Sequence, residues 1–294
     1  MIKNNPYYIL IKPGITMMVM VTSYLGYYLG LRDQGILMVS FDTWLVLFFL
    51  LLGTFFSSSG ACALNQAIER EEDSQMERTK NRPIPAGKIS SERAFLLGVT
   101  FSILGVLILF FLINAITAIV SLSTIFLYIF VYTPLKKYTT WNTLLGSIPG
   151  ALPPIGGWTA ATGRIDAPAW ILFGILFCWQ MPHFLSIAVI YASDYKKGDF
   201  KMLPSVYPES RRLKYIIMFF SLAMVITTIG LYIIKMAGVY FAVASAVLGM
   251  MFILVSIKMI TDGTVRSAKQ LMFASILYLP SILIILILEK IFIP

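Results

Sequence analysis

Charged side chains are scarce in this chain of 294 residues: Asp, Glu, Lys and Arg make up 13% of it, against roughly 25% in soluble domains. So few charges cannot cover the surface of a soluble fold this large, which excludes a soluble enzyme and a disordered scaffold. Cysteine and histidine are scarcer still. The two cysteines, Cys62 and Cys178, lie inside apolar runs and supply neither a disulfide framework nor a zinc site. His183 is the sole histidine. A cleavable signal peptide is also missing from the pattern, because Lys3, Asn4, Asn5 and Pro6 precede any apolar run. Period-two alternation is absent, which removes a membrane β-barrel. What remains is apolar: 58% of residues are hydrophobic and the mean hydropathy is +0.82.

Charge-free stretches occupy 13–31, 43–68, 94–135, 138–163, 167–193, 215–234, 236–257 and 270–288. A helix crosses a bilayer in about 20 apolar residues, so 94–135 holds two helices turning near Asn114. The expectation is an all-α integral membrane protein of nine transmembrane helices, since only helices satisfy the backbone in lipid once a barrel is excluded. Nine crossings put the termini on opposite sides. Loops on the N-terminal side then hold 19 of the 23 Lys and Arg residues, and loops on the other side hold 4. That bias orients the N-terminus to the cytoplasm and the C-terminus outside. It also explains the formal charge of +9 without a nucleic-acid partner. Two inner loops, 69–93 and 194–214, are long and rich in both signs of charge. They follow the second and sixth spans, a spacing that suggests two related halves. No separate soluble domain is evident, so any site belongs inside the bundle at its cytoplasmic end.

The first inner segment places Asn65, Glu69 and Asp73 at i, i+4 and i+8, one face of a helix continuing the second span. Three oxygen side chains in a row suit Mg²⁺, a hard ion that takes one or two carboxylates together with substrate phosphates. Arg78 and Arg82, again four apart, suit bidentate clamping of phosphate. The plainer reading is a solvated juxtamembrane helix of mixed charge; the intramembrane Asn65 and the helix-breaking Pro83 and Pro85 favour a site. The second inner segment repeats the pattern with Asp194, Lys197 and Asp199 before Pro204. Between the two lies Tyr132-Thr-Pro134-Leu-Lys136. Taken singly, Lys136 reads as an orientation charge; two acidic clusters and a Tyr-x-x-x-Lys on one side of the bundle form a more specific set.

These motifs resemble the UbiA-type intramembrane prenyltransferases, whose pattern is two cytoplasmic acidic motifs with a Tyr-x-x-x-Lys between them. The resemblance spans nearly the whole chain and implies one prenyltransferase domain over 1–294. It is narrowest to the family members that act on haem. The residues behind that are Asn65-x-x-x-Glu69-x-x-x-Asp73-x-x-Met76-x-Arg78-Thr79-x-x-Arg82-Pro83 and Trp179-Gln180-Met181-Pro182-His183-Phe184. Asp194-Tyr195, Met202-Leu203-Pro204, Ala268-Lys269-Gln270-Leu271 and Ser275-Ile276-Leu277-Tyr278-Leu279-Pro280 follow in order. In the second motif the family's acids are usually four apart, whereas Asp194 and Asp199 are five apart.

The resemblance implies transfer of the farnesyl group of farnesyl diphosphate to the 2-vinyl group of protohaem IX, with water supplying a hydroxyl, to give haem O. It implies two Mg²⁺ ions, one held by Asn65, Glu69 and Asp73 and the other by Asp194 with Asp199, and diphosphate held by Arg78, Arg82, Lys136 and Lys197. It also implies a plasma-membrane location and a haem-modifying membrane enzyme as the partner that receives the product. His183 stands about ten residues before the second acidic cluster, roughly 15 Å deep on a helix. An ionisable group there is a functional candidate, with the porphyrin iron or a propionate as its contact; a neutral histidine bonded to a neighbouring helix is the plain alternative. Tyr132, Trp158 and Trp179 are candidates to face an allylic cation, although packing is the commoner role of such rings. Pro149, Gly150, Pro153, Pro154, Gly156 and Gly157 predict either a bent fifth span that walls the cavity or close helix packing through small residues. Two rival functions are a related transferase with an aromatic acid or quinone precursor as acceptor, and a secondary transporter. The transporter fits poorly, because transporters gather ionisable groups near the midplane and only His183 lies there.

Overall fold

The computed structural model describes residues 5–208 and 210–292. Lys3 and Asn4, used above for the loop count and the N-terminal pattern, lie outside the described residues. In chain order the helices are α1 (Pro6–Leu10), α2 (Pro13–Asp33), α3 (Phe41–Ile68), α4 (Arg70–Gln75), α5 (Ser91–Leu112), α6 (Ala115–Phe126), α7 (Thr133–Leu135), α8 (Asn142–Ala151), α9 (Pro153–Thr162), α10 (Ala167–Ile190), α11 (Ala192–Lys197), α12 (Leu203–Val206), α13 (Arg211–Ile233), α14 (Val239–Asp262) and α15 (Val265–Phe292). A π-helical turn, Leu127–Tyr132, joins α6 to α7. No strand occurs among the described residues.

Eight helices among the described residues have the length and apolarity to cross a membrane: α2, α3, α5, the run Ala115–Leu135, α10, α13, α14 and α15. The turn expected near Asn114 is there, and Asn114 starts α6 by accepting the Thr117 N–H at 2.8 Å. Ser40 and Ser90 begin α3 and α5 in the same way, as short side-chain oxygens at helix starts do. The remaining apolar stretch is divided. Its two ten-residue halves, α8 and α9, meet at Leu152 with Pro149 inside the first and Pro153 opening the second. A proline lacks the N–H that would continue the ladder, so the break follows from the sequence.

The chain divides into two compact units, Met1–Ile165 with Asp194–Lys201, and Asp166–Ser193 with Met202–Pro294. In the first, α3 lies along α5 and α2 along α9. The α2–α9 approach depends on Gly157: a Cβ there would lie 1.8 Å from the Ser23 carbonyl oxygen. Leu10, Ala63, Ala67, Ile84, Ile89 and Ala94 close the core beneath the acidic motif. In the second unit, α10 packs on α13 and α15, and α14 on both α13 and α15. Gly238 offers no side chain to cap α14, and Glu289 of α15 does so instead, accepting the N–H groups of Gly238 at 2.6 Å and Phe241 at 2.9 Å. A carboxylate suits the orphan donors and positive end of a helix N-terminus.

Candidate active site

The i, i+4, i+8 acids do not sit on one unbroken helix. Helix α3 ends at Ile68, Glu69 adopts φ −89° and ψ 16°, and α4 begins at Arg70. The hydrogen bonds Glu69 N–H to Asn65 O (3.0 Å) and Asp73 N–H to Glu69 O (2.8 Å) nevertheless preserve the four-residue step through the break. Asn65, Glu69 and Asp73 are all buried, and Asp73 is fully so.

Each of the three meets a cation. Asn65 Oδ1 accepts from Lys12 Nζ at 2.8 Å, and its amide donates to Thr133 Oγ1 at 3.3 Å. Glu69 Oε1 accepts from Lys136 Nζ at 2.7 Å. Asp73 accepts from one nitrogen of Arg82, Nη1, at 2.8 Å on Oδ1 and 2.6 Å on Oδ2. Glu72, also buried, pairs with Lys137. The second acidic motif joins the first through the backbone: Asp194, buried on α11, accepts the Arg78 N–H at 3.0 Å. The Arg78 guanidinium lies 5.5 Å from the Tyr195 ring centroid. Lys201 N–H donates to the Lys136 carbonyl at 2.7 Å, so the segment after Asp194 also grips the chain just past the Ala115–Leu135 run. Asn65, Glu69, Asp73, Asp194, Arg78, Arg82 and Lys136 therefore gather in one unit.

Tyr132 and Lys136 act together as their spacing suggests. The ammonium stands 4.5 Å from the Tyr132 ring centroid and 5.5 Å from that of Phe200. Gly146 makes room for this ring, since a Cβ there would come within 2.5 Å of it. The π-helical turn ends at Tyr132; such turns insert a residue into a helix and recur at functional sites. Burial alone would lower the Lys136 pKa, but Glu69 and then the Tyr132 and Tyr128 rings outweigh it and raise it above the ordinary lysine value. Lys12 has the opposite balance: burial and then the Arg82 charge lower its pKa to about 8.

The other candidates stand differently. Lys197 is exposed, with Glu77 at 3.9 Å. Asp199 is exposed and occupies the left-handed backbone region at φ 52°, a conformation Asp tolerates better than most residues; its neighbour Phe200 is the one turned in against Lys136. Trp158 is wholly buried in the α2–α9 packing of the first unit. In the second unit, Trp179 stacks on His183 with centroids 4.9 Å apart and planes 13° apart. Among the described residues no three of His, Cys, Asp and Glu gather as a ready-made metal cage.

Sequence reasoning missed Lys12, Thr133 and the Glu72–Lys137 pair. Lys12 counted only as an orientation charge; the available signal was its place directly before Pro13, where a helix begins and an ammonium is held at the membrane edge. Gln180 was quoted without a role, yet its buried Nε2 has no hydrogen-bond partner among the described residues, and buried amides ordinarily find one.

Eight helices apolar enough to cross a membrane, and buried acids that meet basic groups, mark a multi-pass membrane protein with a polar cluster in its first unit. The chain belongs to the UbiA prenyltransferase family, whose model matches residues 19–277. The protoheme IX farnesyltransferase of Solibacter usitatus is 36% identical, covering 96% of this chain and 97% of its own length. That of Opitutus terrae is 38% identical, covering 99% and 96%. A solved structure described as digeranylgeranylglyceryl phosphate synthase superposes with TM-score 0.80 at 19% identity, over 97% of this chain and 98% of its own. A UbiA homolog from Archaeoglobus fulgidus bound to DMAPP and Mg²⁺ superposes with TM-score 0.63 at 17% identity, over 96% and 99%. At these identities the structural likeness is one of fold.

Proposed function

We propose that the chain transfers the farnesyl group of farnesyl diphosphate to the 2-vinyl group of protohaem IX, giving haem O and diphosphate. The observation that carries the reading is the single cluster in which buried Asn65, Glu69, Asp73 and Asp194 lie with buried Lys136 on Glu69, half-buried Arg82 on Asp73 and the Arg78 backbone N–H on Asp194, the Arg78 guanidinium being exposed beside it. The choice of acceptor is supported by relatives that bear the name of this activity over almost their full length.

The donor set fits Mg²⁺. Buried carboxylates and an amide oxygen are hard ligands, and an ion that keeps substrate phosphates in its shell needs no complete protein cage. When bound, the ion supplies neutralisation of the leaving diphosphate. Arg78, Arg82 and Lys136 bind the diphosphate oxygens, with Lys197 at the exposed rim. Their charge stabilises the departing anion more than the bound ester, which is what speeds ionisation. The C1–O bond breaks and the vinyl terminal carbon attacks C1. Water adds to the other vinyl carbon and loses a proton, so one new C–C bond and one hydroxyl replace the double bond. Tyr132 faces the allylic cation beside Lys136, and the farnesyl tail lies among apolar helices.

We read the family domain as one unit of function over the whole chain, with nine crossings in the plasma membrane, N-terminus and site on the cytoplasmic face, C-terminus outside. The path of α8 and α9 supports nine: Asn142 at the start of α8 donates to the Lys201 carbonyl at 2.9 Å, beside Lys136. Arg164, just past α9, meets Asp33 at the far end of α2 at 3.3 Å. A haem-modifying membrane enzyme is the receiver this product calls for.

The test is the mass of haem extracted after incubating purified protein with farnesyl diphosphate, Mg²⁺ and protohaem. A gain of one farnesyl group plus water is expected. No haem product, with prenylation of a phenolic acid instead, overturns the choice of acceptor.

A further inference from the structure

His183 sits in the second unit with a fixed orientation that its sequence context left open. Its Nδ1 lies 2.7 Å from Ser275 Oγ. Ser275 is wholly buried, and its hydroxyl is also 2.6 Å from the Met272 carbonyl oxygen. A carbonyl only accepts, so the single serine proton belongs on that bond. Were the proton turned toward His183 instead, two oxygens 2.6 Å apart would face each other with nothing between them. Nδ1 is therefore the donor at the His183–Ser275 contact, and the neutral ring carries its lone pair on Nε2. Trp179 reinforces the geometry: its Nε1–H donates to the Ser275 carbonyl at 2.7 Å while its ring stacks on the imidazole. One residue of α15 thus holds two side chains of α10. The histidine itself stays half-buried.

We propose that Ser275 and Trp179 are positioning residues that present His183 Nε2 as a ligand to the iron of the haem substrate. This rests on the haem reading above and decides between the two contacts that reading permits. A propionate needs a donor, which an unprotonated Nε2 is not. An Fe centre needs a lone pair, and a second-shell acceptor on Nδ1–H both fixes the tautomer and raises the basicity of the ligating nitrogen. Stacking against Trp179 keeps the ring from rotating away.

The test uses the purified full chain with two probes, ferric protohaem and iron-free protoporphyrin IX, which differ only at the metal. His183→Ala should weaken ferric protohaem by at least about tenfold, the scale of losing a ligand or its orienting partner, and change its Soret band. Protoporphyrin binding should stay the same. Added imidazole should restore the wild-type spectrum, which also shows that the variant is folded. Ser275→Ala should give a smaller loss, recovered by Ser275→Thr, which keeps the hydroxyl. Equal weakening of both porphyrins, or a wild-type spectrum without a histidine-ligated iron signature, overturns the proposal. If the wild-type chain binds neither porphyrin and forms no haem product, the haem reading itself falls; tight binding of both with no iron preference sinks only the ligation.

Discussion

The Lys136–Glu69 pair shows what a single contact does at the membrane edge. Both groups are buried and 2.7 Å apart, so each is the other's replacement for water. Removing one partner of such a pair strands a buried charge, at about 3–5 kcal/mol. Lys136→Met should therefore lower the thermal unfolding midpoint in detergent. The double variant Lys136→Met, Glu69→Gln should recover most of that stability while remaining inactive. Recovery of turnover along with stability would take Lys136 out of diphosphate binding. Asp73 tests the metal side. Asp73→Ala should abolish product and the Mg²⁺-dependent part of diphosphate binding, with a loss of about 10²–10³ or more in rate as when one preorganised electrostatic group is removed. The protein should still insert, since Arg82 has a half-buried side chain, 22% exposed, that can turn to water. Near-normal turnover in Asp73→Ala, measured as haem product per minute, would remove it from the site.

Among the elements, α2 and α9 offer a controlled comparison of two adjacent glycines. At Gly157 a Cβ meets the Ser23 carbonyl oxygen at 1.8 Å, a backbone atom that cannot move aside, whereas at Gly156 the nearest atom is Val120 Cγ1 at 3.7 Å. Overpacking of this kind costs about 1–3 kcal/mol and more where backbone is involved, while alanine in an open helical position gains a few tenths to about 1 kcal/mol. Gly157→Ala should cut the yield of folded protein and its unfolding midpoint; Gly156→Ala should leave both unchanged or raised. The reverse order would refute the close approach. Sequence reading reached this far unevenly. Charge-free length located the helices, because lipid admits only internally bonded backbone, and the prolines pointed to a bend in the stretch that the structure divides at Leu152. The four-residue spacings of Asn65, Glu69 and Asp73, and of Tyr132 and Lys136, were legible because helical period brings such residues together. The interruption at Glu69 was not, since nothing local breaks the helix there: no proline or glycine marks it, and its Glu69–Lys136 bond comes from 67 positions away. Lys12 on Asn65 and Ser275 on His183 were illegible for the same reason.

At the scale of the whole molecule the question is the number of crossings, and it turns on the one apolar stretch that forms no single long helix. If α8 and α9 together do not cross, Lys136 and Asp194 are separated by α10 alone and lie on opposite faces. The first unit argues otherwise: Asp194 bonds the Arg78 backbone, Lys201 bonds the Lys136 carbonyl, and Lys12 bonds Asn65. Helix α10 has 24 residues, about 36 Å at 1.5 Å per residue, long enough to cross once. On the nine-crossing reading proposed above, α8 with α9, the apolar stretch between Lys136 and α10, supplies the second crossing that returns the chain to the same face. Nine crossings also keep 19 basic residues on one side and 4 on the other, the arrangement that loop charge selects. A phosphatase or fluorescent reporter fused after residue 294 should accordingly report the outside, while single cysteines introduced at Lys88 and Lys196 should react only with reagents that reach the cytoplasm. A C-terminal reporter that reads cytoplasmic, with the cysteine at 88 labelled from inside and that at 196 only from outside, would leave eight crossings. The buried contacts of Lys136 with the Asp194 segment would then have to be abandoned along with the site built on them.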